Sequence, residues 1–444
     1  MKIKEILALA GLAFCLAAHA AGKPHVLMIS IDGMRPDYVT AADEHHLKIP
    51  TLRSVMASGT YADHVANSLP TNTYPNHTTL VTGVWPAVHG IYNNMTFDPL
   101  QQHPGEWYWY ANEVRVPTIW QAASKAGLTT ASVGWPVTNG AQGIDYLITE
   151  FAQSEDGAEI TALQQDKPEG LREQLDPKGA LKDADGDVKK TAWSTAIIQQ
   201  DKPNFMTVHL NNLDYMEHQS GVFSADDLRT LEVLDGQVKT IIEAELAVDP
   251  NAVIVVVSDH GFMNVDKRVN LGILFVQAGL VPAKPKGGKI PADAPWDAMA
   301  WDGGGTDAIM LHDPANKQVL QKVSDLLQDA AKNPDYGIAR ILTHDEAVKM
   351  GGYPDASFVV EWKPGFCSGK ALKGEVVISA PGKGQHGYVP DRPEVQSSFF
   401  MMGHGVAVHR DLGLIDMRQI PSTIAAILGI SFPSAALQPV HYQP

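Results

Sequence analysis

The sequence predicts an α/β protein with a mostly parallel central sheet flanked by helices, and three observations carry that expectation. The runs HVLMISI at 25–31 and NAVIVVVS at 251–258 are continuously apolar and rich in β-branched residues, as strands buried on both faces of a parallel sheet are. VPTIWQAASKAGLTTASVGW, at 116–135, reads as helix, glycine stop and strand. SADDLRTLEVLDGQVKTIIEAELA, at 224–247, reads as a long amphipathic helix leading into the second of the two strands. Alternation of this kind builds βαβ units of a doubly wound sheet.

With 444 residues and 44% hydrophobic content the chain can bury a large core. We expect a single α/β domain over residues 21–444. A smaller inserted α+β subdomain is expected roughly within residues 270–380, where the helix NKQVLQKVSDLLQDAAKN lies among short strands. The first twenty residues, MKIKEILALAGLAFCLAAHA, combine Lys2 and Lys4, an apolar run from Ile6 to Ala18 and an Ala-His-Ala end. They read as a cleaved signal peptide, so the protein is expected in the periplasm or secreted. The apolar run is shorter than the roughly 20 residues that span a bilayer, so no membrane span is expected after cleavage.

Cys15 leaves with that segment, and Phe14 before it argues against lipid attachment. Only Cys367 remains, so no disulfide framework is expected. Removing Lys2, Lys4 and Glu5 leaves 32 basic against 49 acidic side chains, a net charge of −17. Polymeric nucleic acid is repelled by such a surface, and a phosphate site on it must generate its own positive charge. Metal ions do that.

NSLPTNTYPNHTTLVTG, at 67–83, places Thr73 at the start of a helical pattern. A hydroxyl there is either a helix cap or a nucleophile facing the amides and positive dipole end that attract a phosphate. Threonine is a weak nucleophile unaided, so the second reading requires a base or metal ions elsewhere. Candidate ligands follow the strands: Asp32 after ISI, and Asp259 with His260 after VVVS. Ligands of open α/β sheets bind at such strand ends. NNLDYMEHQSG spaces Asp214 and His218 four apart, on one helical face, and GKGQHGY exposes His386 between glycine-rich segments. Three carboxylates and three histidines suit two zinc ions with open positions, a pair that activates a nucleophile and clamps an in-line phosphoryl displacement when about 4 Å apart.

The segments SIDGMRPDY, PTNTYPNHTTLVTGVWPAVHGIYNN, VVSDHGF and GQHGY occur in an order that resembles the nucleotide pyrophosphatase/phosphodiesterases, a branch of the alkaline phosphatase superfamily. The resemblance implies an alkaline-phosphatase-like core and two zinc ions, and makes Thr73 the nucleophile. By it, Asp32, Asp259 and His260 hold the zinc that contacts Thr73, and Asp214, His218 and His386 hold the other. Asn94 corresponds to the residue that holds a phosphoryl oxygen. Tyr74 stands where many relatives carry phenylalanine that stacks on a base, and it is expected to bind substrate in that way. The substrate expected is a small nucleotide or other phosphodiester, cleaved at a phosphodiester or pyrophosphate bond through a phosphothreonine.

Glu217 departs from the family, since many relatives carry glycine before that histidine. Three rival readings stay open: a phosphomonoesterase on the same scaffold, a choline-lipid phosphodiesterase, and a silent metal- or phosphate-binding protein. No Arg or Lys lies between Leu69 and Asn94 to meet a dianionic monoester, which favours diesters. His77 and His89 read as supporting groups, and His209, His404 and His409 as bland. The aromatic run WYWY at 107–110 reads more readily as core than as pocket. DADGD at 183–187 lacks the calcium-loop spacing and reads as a solvated loop within a polar excursion from Gln153 to Lys190. GFCSGK at 365–370 has its glycines one residue too close for a phosphate loop, so no nucleotide clamp is expected there. Cys367 also lacks the Pro and Arg context of a sulfatase cysteine.

Overall fold

The computed structural model describes residues 23–103, 106–150, 165–285 and 288–444. The expected signal segment and residues 151–164 of the polar excursion lie outside them. Six strands form the first part of a nine-stranded sheet: β1 (Val26–Ile31), β2 (Thr60–Ala66), β3 (Thr130–Val133), β4 (Tyr146–Ile148), β5 (Phe205–Leu210) and β6 (Val253–Val257). β1 lies between β5 and β6, and β3 joins β5 to β4, all in parallel. The strand Ser397–Met402 runs antiparallel between β6 and β2. Two short strands, Arg410–Asp411 and Leu414–Asp416, complete the edge beside β2.

Burial explains why the apolar runs are unbroken. Leu27, Ile29 and Ile31 of β1 face one core with Val208, Ile254, Val256 and the Leu231, Leu234 and Val238 stripe of helix Ala225–Val248. Val26 and Met28 face the other, with Val253, Val255, Leu80, Trp120 and Ile424. Period-two alternation therefore meets hydrophobic cover on both sides, which stabilises each such side chain by about 1.5–3 kcal/mol relative to exposure.

A separate antiparallel sheet orders Ile338–Thr343, Phe358–Trp362, Thr306–Leu311 and Ala298–Asp302. Val323, Leu327 and Ala330 of helix Lys317–Lys332 share a third core with this sheet. A three-stranded sheet of Gly365–Ser368, Met263–Val269 and Val377–Gln385 links it to the main sheet and carries the chain to His386.

The expectation of a solvated loop at DADGD holds for Asp183 and Asp185, which are exposed, and is corrected at Asp187. Asp185 caps helix Gly186–Asp201 by accepting from the Asp187 amide at 2.9 Å, and Asp187 is fully buried. The Asp187 carboxylate accepts from the amides of Asn211, at 3.1 and 3.0 Å, and Asn212, at 2.8 Å, where helix Asn212–Ser220 begins. Lys190, also buried, pairs with Asp187 at 3.2 Å and donates to Asn211 Oδ1. The end of the polar stretch is thus an anchor for the helix that follows β5, with Asp185 serving one helix start and Asp187 the other.

Candidate active site

Parallel strand order brings the ends of β1, β5 and β6 to one edge. Asp32 directly follows β1 and donates its amide to Leu210 O of β5 at 2.9 Å. Asp259 and His260 follow β6, and Asp214 and His218 lie in helix Asn212–Ser220 after β5. The donor atoms of Asp32, Asp259 and His260 lie within 4.8 Å of one another, as do those of Asp214, His260 and His386. His218 Nε2 is 3.6 Å and His386 Nε2 3.8 Å from Asp214 Oδ1. All six residues expected to hold metal therefore come together, with His260 reaching both groups.

Thr73 is the first residue of helix Thr73–Thr82, with Asn72 at the cap position and no side-chain cap bond. Its hydroxyl does not cap: Oγ1 lies 3.2 Å from His260 Nε2 and 3.5 Å from Asn94 Nδ2. The second amide of the helix, from Tyr74, donates instead to Asn94 Oδ1 at 2.9 Å. Asn94 is thereby oriented, with its acceptor spent on the helix and its donors toward Thr73.

Buried groups that lack partners indicate what the site is built to hold. Asp32 Oδ1, Asp214 Oδ1 and Asp259 Oδ2 have no hydrogen-bond partner among the described residues. Burial raises the Asp32 and Asp214 carboxyls to about 7, with Asp32 adding to the second shift. Burial, then Asp32 and Asp214, holds Asp259 well above the ordinary carboxylate range. Burial lowers His260 and His386 well below the usual imidazole value. Crowded acids beside neutral imidazoles are the donor set that a divalent cation reverses into stable ligands.

Outer contacts fix each imidazole. The Nδ1 atoms of His218, His260 and His386 lie 3.2, 3.3 and 3.1 Å from the carbonyls of Gly384, Gly261 and Thr71, which leaves Nε2 to face the centre. Gly387 follows His386 at φ +88°, where a Cβ would stand 1.7 Å from Gly303 O, so the HGY turn requires glycine. His77 bridges Thr73 O and Ser30 Oγ, both at 2.9 Å, in the supporting role expected.

His209, read from sequence as bland, bonds Asp32 Oδ2 through Nε2 at 2.9 Å and Gly134 O through Nδ1 at 3.0 Å. Its register opposite Ser30, one residue from the level at which β1 ends, brings it to Asp32, and no local sequence signal marks it. Tyr74 is 1% exposed, with its ring 5.1 Å from Trp107 and its hydroxyl donating to Glu150. Trp107, from the run read as core, lines a cleft of about 160 Å³ together with Asn94, His218 and His386.

The strand ends of an open α/β sheet thus surround one hydroxyl with two candidate metal groups. The chain belongs to the type I phosphodiesterase / nucleotide pyrophosphatase family, whose model matches residues 26–359. Human ectonucleotide pyrophosphatase/phosphodiesterase family member 1 is 25% identical over 256 residues, 54% of this chain and 23% of that protein. Human family member 5 is 35% identical over 123 residues, 26% of this chain and 24% of its own length. The chain spans about a quarter of the length of these relatives. Murine ectonucleotide pyrophosphatase/phosphodiesterase 5 shares the fold, with a TM-score of 0.66 at 18% identity, covering 94% of this chain and 97% of that one. An inactive variant of the murine protein in complex with AMP gives a TM-score of 0.64. Among the described residues no helix is long and apolar enough to cross a membrane.

Proposed function

We propose that the protein is a two-zinc phosphodiesterase acting on nucleotide phosphodiesters or pyrophosphates through a phosphothreonine at Thr73. The observation that carries this reading is the Thr73 hydroxyl, set at a helix start 3.2 Å from His260 Nε2, where the two candidate metal groups meet. Asp32, Asp259 and His260 would hold the zinc nearest Thr73, and Asp214, His218 and His386 the other. Bound zinc would supply the positive charge that lowers the hydroxyl's pKa and offsets charge developing on the phosphoryl group.

The chain's own residues do the rest. His77 fixes the Thr73 carbonyl, so the first helical turn presents Oγ1 in one place. Asn94, its oxygen held by the Tyr74 amide, offers Nδ2 to a phosphoryl oxygen. Thr73 Oγ attacks phosphorus and expels an alcohol or phosphate, and water then cleaves the phosphothreonine. Trp107 presents an aromatic face in the cleft with Tyr74 packed behind it, a surface on which a base stacks. The AMP held by the inactive murine relative is a ligand of the kind this cleft would retain. We also infer export with removal of residues 1–20, on the tripartite pattern of that segment, which N-terminal sequencing of the mature protein reads out.

Zinc-loaded protein offered an aryl ester of thymidine monophosphate, an aryl phosphate and an aryl phosphocholine separates the readings. The nucleotide diester is expected to give the highest kcat/KM. A monoester or phosphocholine preferred by about tenfold, ~1.4 kcal/mol, overturns the proposal.

A further inference from the structure

Asn93 precedes Asn94 in the segment YNN and is 2% exposed. Its Oδ1 accepts from the Asn94 amide at 2.7 Å and from Asn72 Nδ2 at 2.8 Å, and its Nδ2 donates to Asp302 O at 2.8 Å. Two such bonds fill both lone pairs of an amide oxygen. A side chain that cannot accept would therefore strand two buried donors at once, which is where the cost of a lost hydrogen bond is largest.

Each partner leads to the candidate site. Asn94, held through its own amide by Asn93 and at Oδ1 by the Tyr74 amide, turns Nδ2 toward Thr73 Oγ1. Asn72 gives Nδ2 to Asn93, so its Oδ1 is the atom left to accept from His386 Nδ1, at 2.8 Å. Asp302 ends the strand Ala298–Asp302, and in the turn that follows Gly305 donates its amide to His386 O at 2.7 Å. The bonds close a circuit from Asp302 through Asn93, Asn72, His386 and Gly305 back to Asp302. A backbone carbonyl only accepts, so Asp302 O fixes which end of Asn93 faces it and, through Asn93, which end of Asn72 faces His386. One side chain thereby ties the smaller antiparallel sheet to Asn94 and to a candidate metal ligand.

We propose that Asn93 is a positioning residue: it keeps the Asn94 amide, offered to a phosphoryl oxygen, in register with the candidate metal group of Asp214, His218 and His386. The assignment rests on the phosphodiesterase reading and adds a residue to it. Asn93 acts through its neighbours, because its oxygen and nitrogen are already committed to protein groups. A donor aimed at developing charge is worth most in the transition state, so its misplacement falls on kcat and not on KM.

A double-mutant cycle on zinc-loaded protein, with an aryl ester of thymidine monophosphate as substrate, tests this. Asn93→Ala is expected to lower kcat by about tenfold or more, with KM within about twofold of wild type. In an Asn94→Ala background the same replacement should lower kcat by no more than about threefold, because the group it positions is gone. Asn93→Asp keeps the acceptors and loses only the donor to Asp302, so its kcat should exceed that of the alanine variant by about threefold or more. A loss confined to stability would lower kcat alike in both backgrounds. Where a thermal melt shows that the alanine variant does not fold, Asn93→Ser, too short to reach either amide, enters the cycle on the same criteria. A smaller loss in the single variant, a larger one in the Asn94→Ala background, a raised KM with kcat spared, or an aspartate variant no better than alanine overturns the assignment. Wild type that cleaves no nucleotide ester overturns the phosphodiesterase reading itself.

Discussion

Thr73 resolves a choice that its own sequence leaves open. Asn72 occupies the cap position and Asn94 satisfies the next amide, so the Thr73 hydroxyl contributes nothing to closing the helix. Thr73→Ala should therefore cost at most about 1 kcal/mol of stability, while turnover falls by orders of magnitude. Thermal melts and single-turnover kinetics check both halves; normal turnover by the alanine variant would remove Thr73 from the chemistry. Five of the six candidate ligands were legible because each follows a strand run or shares a helical face with another, and His386 because glycine-rich sequence flanks it. His209 was not, because its partner Asp32 is 177 residues away and nothing local distinguishes it from a core histidine. Tyr74 and Trp107 show the same limit in reverse. Sequence identifies an aromatic residue, but only packing decides that Trp107 meets the cleft while Tyr74 is buried against Glu150.

At the scale of elements, helix Asn212–Ser220 shows how a polar stretch can govern a site it never touches. The helix carries Asp214 and His218, and its first amides are held by Asp187 from a separate helix. Asp187→Ala would leave those amides and the buried Lys190 without their acid. Breaking a buried pair in this way typically costs 3–5 kcal/mol, so urea unfolding should show a loss of about that size. Asp187→Asn keeps an acceptor and should lose less; an alanine variant as stable as wild type would exclude the anchoring role. Composition pointed to a solvated loop because DADGD is polar, and only the return of the chain at β5 gives its third aspartate something to bind. The strands of the main sheet were readable for the opposite reason: cover on both faces leaves an unbroken apolar signature in β1 and β6.

For the whole molecule, the centre is a concentration of like charge inside a fold that is itself strongly acidic. Without an ion, Asp32 and Asp214 titrate at about 7, above the ordinary value of 3.8, so their protonated forms favour the folded state. That contribution is complete below about pH 4 and is lost as pH rises to 7. Chelated protein should accordingly lose stability across that window, and zinc should restore it near neutrality, by roughly 2.7 kcal/mol at a hundredfold excess over Kd. Melting curves with and without chelator from pH 4 to 8 measure this, and superimposable curves would argue against an ion in the site.

The sheet order also sets a timetable for a chain made from its first residue onward. Asp32 emerges early, but its centre needs His386, and the strand wedged between β6 and β2 begins only at Ser397. The candidate centre thus cannot close before residue 386 has been made. A nascent chain arrested anywhere before His386 holds an incomplete set of candidate ligands, so no activity is expected of it.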